Sequence, residues 1–271
     1  MTRPASRPRT GRPPVSLLLL ASIGLAFVAV PVLALLIRTP WSRVPDSLTD
    51  PVVLDALRLS VISSVGAALV AAVIGVPLAW MLSRTDFRGR SVLRALVLVP
   101  LVLPPVVGGV ALLLAFGPRG LLGPALQSVG VVLPFSTAGT IVAAAFVALP
   151  FLVLSVEGAL AALDRRHEDV AATLGAGRLR TFATVTLPLV APSLAAGLVL
   201  AWARALGEFG ATITFAGNLP GVTQTMPLAV YQTLPVDPDG SLTLSMLMLA
   251  VSVGVVVGLR HRWLSGLRTQ G

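Results

Sequence analysis

The sequence predicts an all-α, polytopic integral membrane protein with six transmembrane helices, and three observations predict it. Of 271 residues, 55% are apolar and only 11% charged, with a mean hydropathy of +0.92; a soluble domain carries about 25% charged residues. Six apolar runs are each long enough to cross a hydrocarbon core of about 30 Å. The arginines fall between those runs in a strongly one-sided pattern.

Residues 1–14, with Arg3, Arg7, Arg9 and Arg12 among prolines, read as a disordered tail. The run at 15–37 follows. It exceeds the apolar core of about 7–15 residues of a signal peptide, and Leu33-Ala34-Leu35-Leu36 is a poor cleavage site, so a first transmembrane helix is expected. Five further spans are expected at about Leu59–Leu82, Val92–Phe116, Gly139–Leu160, Leu189–Phe215 and Leu242–Leu259. A short tail, 261–271, closes the chain. No internal repeat is present.

Fifteen of the arginines occupy the first tail, the second-to-third connection (Arg84, Arg88, Arg90, Arg94), the fourth-to-fifth connection (Arg165, Arg166, Arg178, Arg180) and the last segment (Arg260, Arg262, Arg268). The opposite side holds Arg38, Arg43, Arg58 and Arg119, and the last loop there, Ala216 to Ser241, carries only Asp237 and Asp239. The positive-inside rule therefore expects a multi-pass membrane protein with both termini cytoplasmic. The net charge of +9 is thus a topology signal, and no nucleic-acid partner is expected. Cysteine is absent, which excludes disulfides and thiol chemistry. Lysine is absent too, which excludes a Walker A loop, so any ATP is bound by another subunit and no cofactor is expected in this chain.

The connection from Leu163 to Pro188 is long and has its own helical pattern. Glu168 and Asp169 suit the first turn of a short helix in which Ala171 and Leu174 share a face, with Ala172 between them. Gly175 and Gly177 offer a C-cap and a turn. A second short helix is expected over Arg178–Thr184, with Leu179, Phe182 and Ala183 apolar, and a new helix at Leu187-Pro188. The spacing of Asp169, Ala171, Gly175, Val185, Leu187 and Pro188 resembles the EAA loop of ABC importer permeases. That resemblance implies the membrane domain of a type I ABC importer over 54–260, with 163–188 presenting a coupling helix to an ATPase. Asp169-Val170-Ala171 stands where the family has Glu-Ala-Ala, and Glu168 lies one place early. The bland alternative is a pair of solvated surface helices.

Two further segments resemble molybdate-importer permeases and, more loosely, sulfate and thiosulfate permeases. One is Val99 to Gly109, with Pro100, Pro104 and Pro105; the other runs from Ala203 through Arg204, Gly207, Glu208 and Gly210 to Ala229. The prolines remove backbone donors and are expected to bend or interrupt the third span. Arg204 and Glu208 are four apart and share a helix face. Charges in a span usually face a bundle interior or cavity, so either mutual neutralisation or an outer gate is expected of them. Gly207 and Gly210 are expected to allow close backbone approach.

The resemblance implies a homodimer, two cytoplasmic ABC ATPases and an extracytoplasmic molybdate-binding protein, which import the oxyanion across the plasma membrane of a bacterium by alternating access. Because affinity resides mainly in the binding protein of such importers, Arg204 is not assigned as a molybdate ligand. Tungstate, sulfate and thiosulfate remain alternatives, since these are all tetrahedral dianions. A proton-coupled secondary transporter is a remoter one, because one Arg–Glu pair is thin for a proton relay. An intramembrane enzyme would need nucleophiles or metal ligands in the spans, whose charged groups are Glu157, Arg204 and Glu208 besides Arg94 at the start of the third; no catalytic or metal site is expected. His167 and His261 are expected to be solvated, and Glu157 to snorkel or pair near the end of the fourth span.

Overall fold

The structure is a computed structural model and describes residues 14–267. The first tail, with its four arginines, and Arg268 lie outside the described residues. Within them the chain is helical and has no strand. The elements are α1 Val15–Arg38, α2 Val44–Ser47, α3 Pro51–Arg84, α4 Arg90–Val102, α5 Pro105–Phe116, α6 Gly123–Ser128 and α7 Thr137–Ala162; then α8 Arg166–Thr173, α9 Arg178–Thr181, α10 Leu187–Leu206, α11 Gly210–Phe215, α12 Met226–Thr233 and α13 Pro238–Leu267. Five helical segments are long and apolar enough to cross a membrane, and α4 with α5 supplies a sixth if the bent pair is one span.

The centre of the bundle is α3 against α7, with α10 laid across both. Its core is made largely of small residues: Ala67, Ala71 and Ala79 of α3 meet Ala144, Ala145 and Ala148 of α7 and Ala201 and Ala205 of α10. In a lipid environment apolar side chains gain little by leaving the solvent, so close backbone approach and interhelical hydrogen bonds hold helices together. Gly197 of α10 illustrates both. A Cβ there would lie 2.8 Å from the Ser155 Cβ, and the Ser155 hydroxyl donates to the Ser193 carbonyl at 2.9 Å. By contrast α1 has no buried residue at all and touches the bundle mainly along α13. Its apolar surface is the kind that faces lipid.

Several boundaries differ from expectation. α3 starts at Pro51, eight residues before the apolar run, because Asp50 caps it: the Val52 N–H donates to Asp50 Oδ1 at 2.8 Å. Its 34 residues span about 51 Å at the helical rise, so it projects beyond a hydrocarbon core. The expected third span is two helices bent by 120° between Val102 and Pro105. Pro100 is not the break; it sits buried inside α4. Leu103 takes an extended conformation (ψ 134°), as the residue before a proline prefers, and Pro104 and Pro105 then open α5.

The expected fifth span is also interrupted, at Gly207–Phe209 between α10 and α11. Its other end reaches further back than expected. No new helix begins at Pro188, because the chain is helical from Arg178 to Leu206. It passes through a π turn at Phe182–Thr186, in which the Leu187 N–H reaches the Phe182 carbonyl five residues back. Such a register shift lets a proline follow inside a continuous helix without a sharp break. α13 likewise continues through 261–267, which the sequence placed in a tail. The Ala216–Ser241 segment, expected as a loop, contains α12.

Candidate functional site

At the arginine-rich end, α8 forms where the sequence placed it, with Glu168 and Asp169 in its first turn. Leu174 ends it, and Gly175 follows at φ +80°. That left-handed conformation closes a helix C-terminus, and glycine adopts it without steric cost. The Gly175 and Ala176 N–H groups donate to the Ala172 and Ala171 carbonyls. Gly177, at φ −68°, is the extended N-cap of α9.

Glu168 and Asp169 have opposite roles. Glu168 turns inward. Its carboxylate accepts from Arg84 Nε, the last residue of α3, at 3.1–3.2 Å, and from the Thr186 hydroxyl at 2.7 Å. Thr186 is buried immediately before α10. One carboxylate therefore ties the loop helix to the ends of two long helices. Asp169 is exposed, as are Ala172 and Leu174, while Ala171 is half-buried. The second attachment is aromatic: the Phe182 ring in the π turn meets Trp80 of α3 edge-on at 6.2 Å between centroids. Leu174 and Leu179 are 82% and 81% exposed. They leave an apolar surface on this end that the described residues do not cover. Pro188 is exposed and Leu187 half-buried at the start of α10.

Nearby, Glu157 of α7 is buried and paired with Arg94 of α4 through both Nε, at 2.9 Å, and Nη2. This fixes α4 to the bundle beside the loop.

The second candidate region joins the two motifs that are far apart in sequence. α5 packs directly on α11. A Cβ on Gly210 would stand 2.8 Å from the Pro105 Cβ and 3.1 Å from the Val106 nitrogen; one on Gly109 would stand 2.6 Å from the Thr214 Cβ and 2.8 Å from the Ala211 carbonyl oxygen. The contact is backbone against backbone, possible only because both positions lack side chains. Gly207 makes no such approach: a side chain there would meet nothing nearer than the Ala203 carbonyl at 3.8 Å.

Arg204 and Glu208 bridge the interruption between α10 and α11. Arg204 Nη1 lies 2.5 Å from Glu208 Oε2, and the Glu208 side chain is 2% exposed against 27% for Arg204. The other carboxylate oxygen accepts the Ala211 N–H at 2.8 Å. Glu208 thus caps α11 while neutralising Arg204, and the guanidinium keeps one side open. Phe209, between the helices, stacks at a tilt on Tyr231 of α12 with centroids 4.9 Å apart. Among the described residues no three of His, Cys, Asp or Glu gather so as to hold a metal.

Arg84, Thr186, Trp80 and Arg94 were not singled out from the sequence as site residues. No spacing signal links Arg84 to Glu168 across 84 positions; only their both flanking arginine-side connections hinted at proximity.

Residues 71–266 match the family model described as the inner membrane component of binding-protein-dependent transport systems. The chain is 47% identical over 252 residues to the molybdenum transport system permease protein ModB of Mycobacterium bovis, covering 92% of this chain and 95% of that one. It is 41% identical over 219 residues to the molybdenum transport system permease protein ModB of Escherichia coli K12, covering 80% and 95%. A solved bacterial ABC transporter involved in the import of the acidic polysaccharide alginate shares the fold at a TM-score of 0.74 with 17% identity, over 92% of this chain and 94% of that one.

Proposed function

Because this chain belongs to the family of binding-protein-dependent transport system inner membrane components, we propose that it is the permease subunit of an ATP-driven importer of molybdate. The observation that carries the substrate is the 47% identity to a molybdenum permease over 92% of the chain. The chain forms the membrane path and does not hydrolyse ATP itself.

The finer reading places the arginine-rich end in the cytoplasm, following the distribution of positive charge. Two copies of the chain enclose a path between them, and two ATPase subunits seat on the segments from Leu163 to Pro188. An extracytoplasmic binding protein delivers the oxyanion to the opposite side. Closure of the ATPase pair moves α8. The Glu168 attachments to Arg84 and Thr186 pass that motion directly to α3 and α10, two of the three helices at the centre of the bundle. Alternating access then follows as a shift between two packings of that bundle, biased by ligands on either side. The α5–α11 contact and the Arg204–Glu208 bridge form the gate, at the two places where the spans are interrupted and small displacements are least resisted.

The test is reconstitution of the complex with its ATPase and binding protein. Vanadate-sensitive ATP hydrolysis stimulated by molybdate-loaded binding protein is the expected result. Equal stimulation by sulfate-loaded protein, with molybdate failing to compete for uptake, overturns the substrate assignment in favour of a sulfate permease.

A further inference from the structure

Beside α8 lies a half-open cavity of about 490 Å³ whose walls include Arg84, Arg165 and Arg178. Its deepest cation is incompletely satisfied. The Arg84 side chain is 7% exposed; Nε is held by Glu168, yet Nη2 is buried with no hydrogen-bond partner among the described residues. A buried charged donor without an acceptor is costly, and such groups in native proteins are almost always met by a partner.

The acids around the cavity do not meet it. Glu168 is engaged by Arg84 and Thr186, and Asp86 is paired with Arg90. Among the described residues Asp169 has no cationic partner, while Arg165 makes a long 3.5 Å contact with the Ser83 carbonyl and Arg178 is exposed. The surroundings point to the kind of anion. A second, apolar cavity shares Trp80, Arg178 and Phe182 with the first and adds Pro77 and exposed Leu179. A free inorganic oxyanion has no use for an apolar neighbour. A protein surface that presents a carboxylate next to apolar side chains fits both halves.

We propose that the cavity walled by Arg84, Arg165 and Arg178 receives a carboxylate side chain of the ATPase subunit, with the incompletely satisfied Arg84 guanidinium in its wall. This rests on the importer reading above. It adds to that reading a defined ionic socket beside the loop helix, distinct from the exposed face of α8 itself.

The absence of lysine from the chain allows a sharp test. Arg178→Lys places a single side-chain amine at the cavity mouth while keeping its charge. The purified complex with the ATPase is treated with a zero-length carbodiimide, and the products are mapped by peptide mass spectrometry. The expected result is an amide between position 178 and an Asp or Glu of the ATPase, with none from Arg88→Lys, an exposed position outside the cavity. Three results overturn the proposal while the ATPase still co-purifies: coupling of position 178 only to acids of its own chain, equal adducts from Arg88→Lys, or loss of the adduct when inorganic phosphate or molybdate is added without release of the ATPase. Failure of the ATPase to co-purify with the unaltered chain overturns the importer reading, and this inference with it.

Discussion

Arg84 Nε at the end of α3 donates to the Glu168 carboxylate in α8, and the same carboxylate accepts the Thr186 hydroxyl at the foot of α10. The Arg84 and Glu168 side chains are 7% and 19% exposed, so the pair is shielded well enough to matter. Hydrogen bonds to a charged group contribute about 1.5–3 kcal/mol when they are buried. Arg84→Met is therefore expected to lower stability by about that amount. A charge swap, Arg84→Glu with Glu168→Arg, is expected to recover part of the loss, because the two sites are coupled. The mechanical consequence is separable from stability: in Glu168→Ala, ATP hydrolysis persists while uptake per ATP falls. A melting curve and a ratio of transport to hydrolysis in proteoliposomes check both. An unchanged ratio in Glu168→Ala removes the carboxylate from coupling.

Gly175 is held at φ +80° with open space around the position where a Cβ would stand. The cost of a side chain there is conformational and not steric, about 1–2 kcal/mol for a residue forced into the left-handed region. Gly175→Val is expected to unwind the end of α8 and impair uptake strongly, with Gly175→Asn much milder because asparagine tolerates that conformation. Gly177→Ala, two residues on at φ −68°, is expected to be close to neutral. Uptake by the three variants at matched membrane abundance tests the ordering.

Between α5 and α11 the limit is space. Gly210→Ala drives a methyl against Pro105 and the Val106 nitrogen at 2.8–3.1 Å. Neither neighbour is the free end of a flexible side chain, so the helices must separate, at about 1–3 kcal/mol. Gly207→Ala meets nothing within 3.8 Å and is expected to leave stability and uptake intact. Thermal unfolding in detergent and uptake rates read the contrast; equal damage from both substitutions removes the close approach as the cause.

The three regions differ in how much of them the sequence disclosed. Gly175 was legible because a left-handed cap has a residue preference of its own, and α8 because its acids, alanines and glycine stand at fixed local offsets. The third-span break was anticipated in kind from three prolines, but its place was set by Leu103 in front of the Pro104-Pro105 pair, with Pro100 absorbed into α4. The interruption at Gly207–Phe209 was hidden. Every residue there is tolerated in a helix and the apolar run continues through it; the structure reveals it where the Glu208 side chain folds onto the Ala211 N–H at the start of α11. The α3 start was masked by reading hydropathy alone, although Asp50-Pro51 is a helix-start signal. Pairs such as Arg84 with Glu168 carry no period that a single sequence exposes.

Arg204 and Glu208 separate into a structural half and an open half. Glu208→Gln keeps an acceptor for the Ala211 N–H but leaves the Arg204 guanidinium unneutralised beside a closely packed break. Arg204→Met with Glu208→Gln removes both charges together. If the bridge serves the gate, the double variant folds and assembles but transports more slowly, or hydrolyses ATP without regard to the loaded binding protein. Wild-type uptake and regulated hydrolysis in the double variant sink the gate assignment and leave the pair as packing alone.

The arginine-poor end supplies a prediction in pH. Asp237 lies just before α13, and its carboxylate accepts the Gly240 N–H at 3.0 Å and pairs with Arg43 Nη1 at 3.0 Å. The Gly240 N–H holds its pKa below the ordinary 3.8; desolvation opposes that lowering, and the Arg43 hydrogen bond and then the Arg43 charge add to it. The sign follows from linkage: the unfolded carboxylate protonates at its ordinary value and the folded one only at lower pH. The ionised form therefore stabilises the fold above the unfolded pKa, and that contribution disappears as pH falls through the folded one. Asp237→Asn is expected to melt below the unaltered chain at neutral pH, with the gap shrinking as pH drops below the ordinary carboxylate range. Arg43→Gln should reproduce only part of the gap, because the Gly240 cap survives, and should lose its effect in high salt, as expected for a pair half-exposed on both sides. A gap that stays constant from neutral to strongly acidic pH assigns the effect of Asp237→Asn to lost geometry and not to charge.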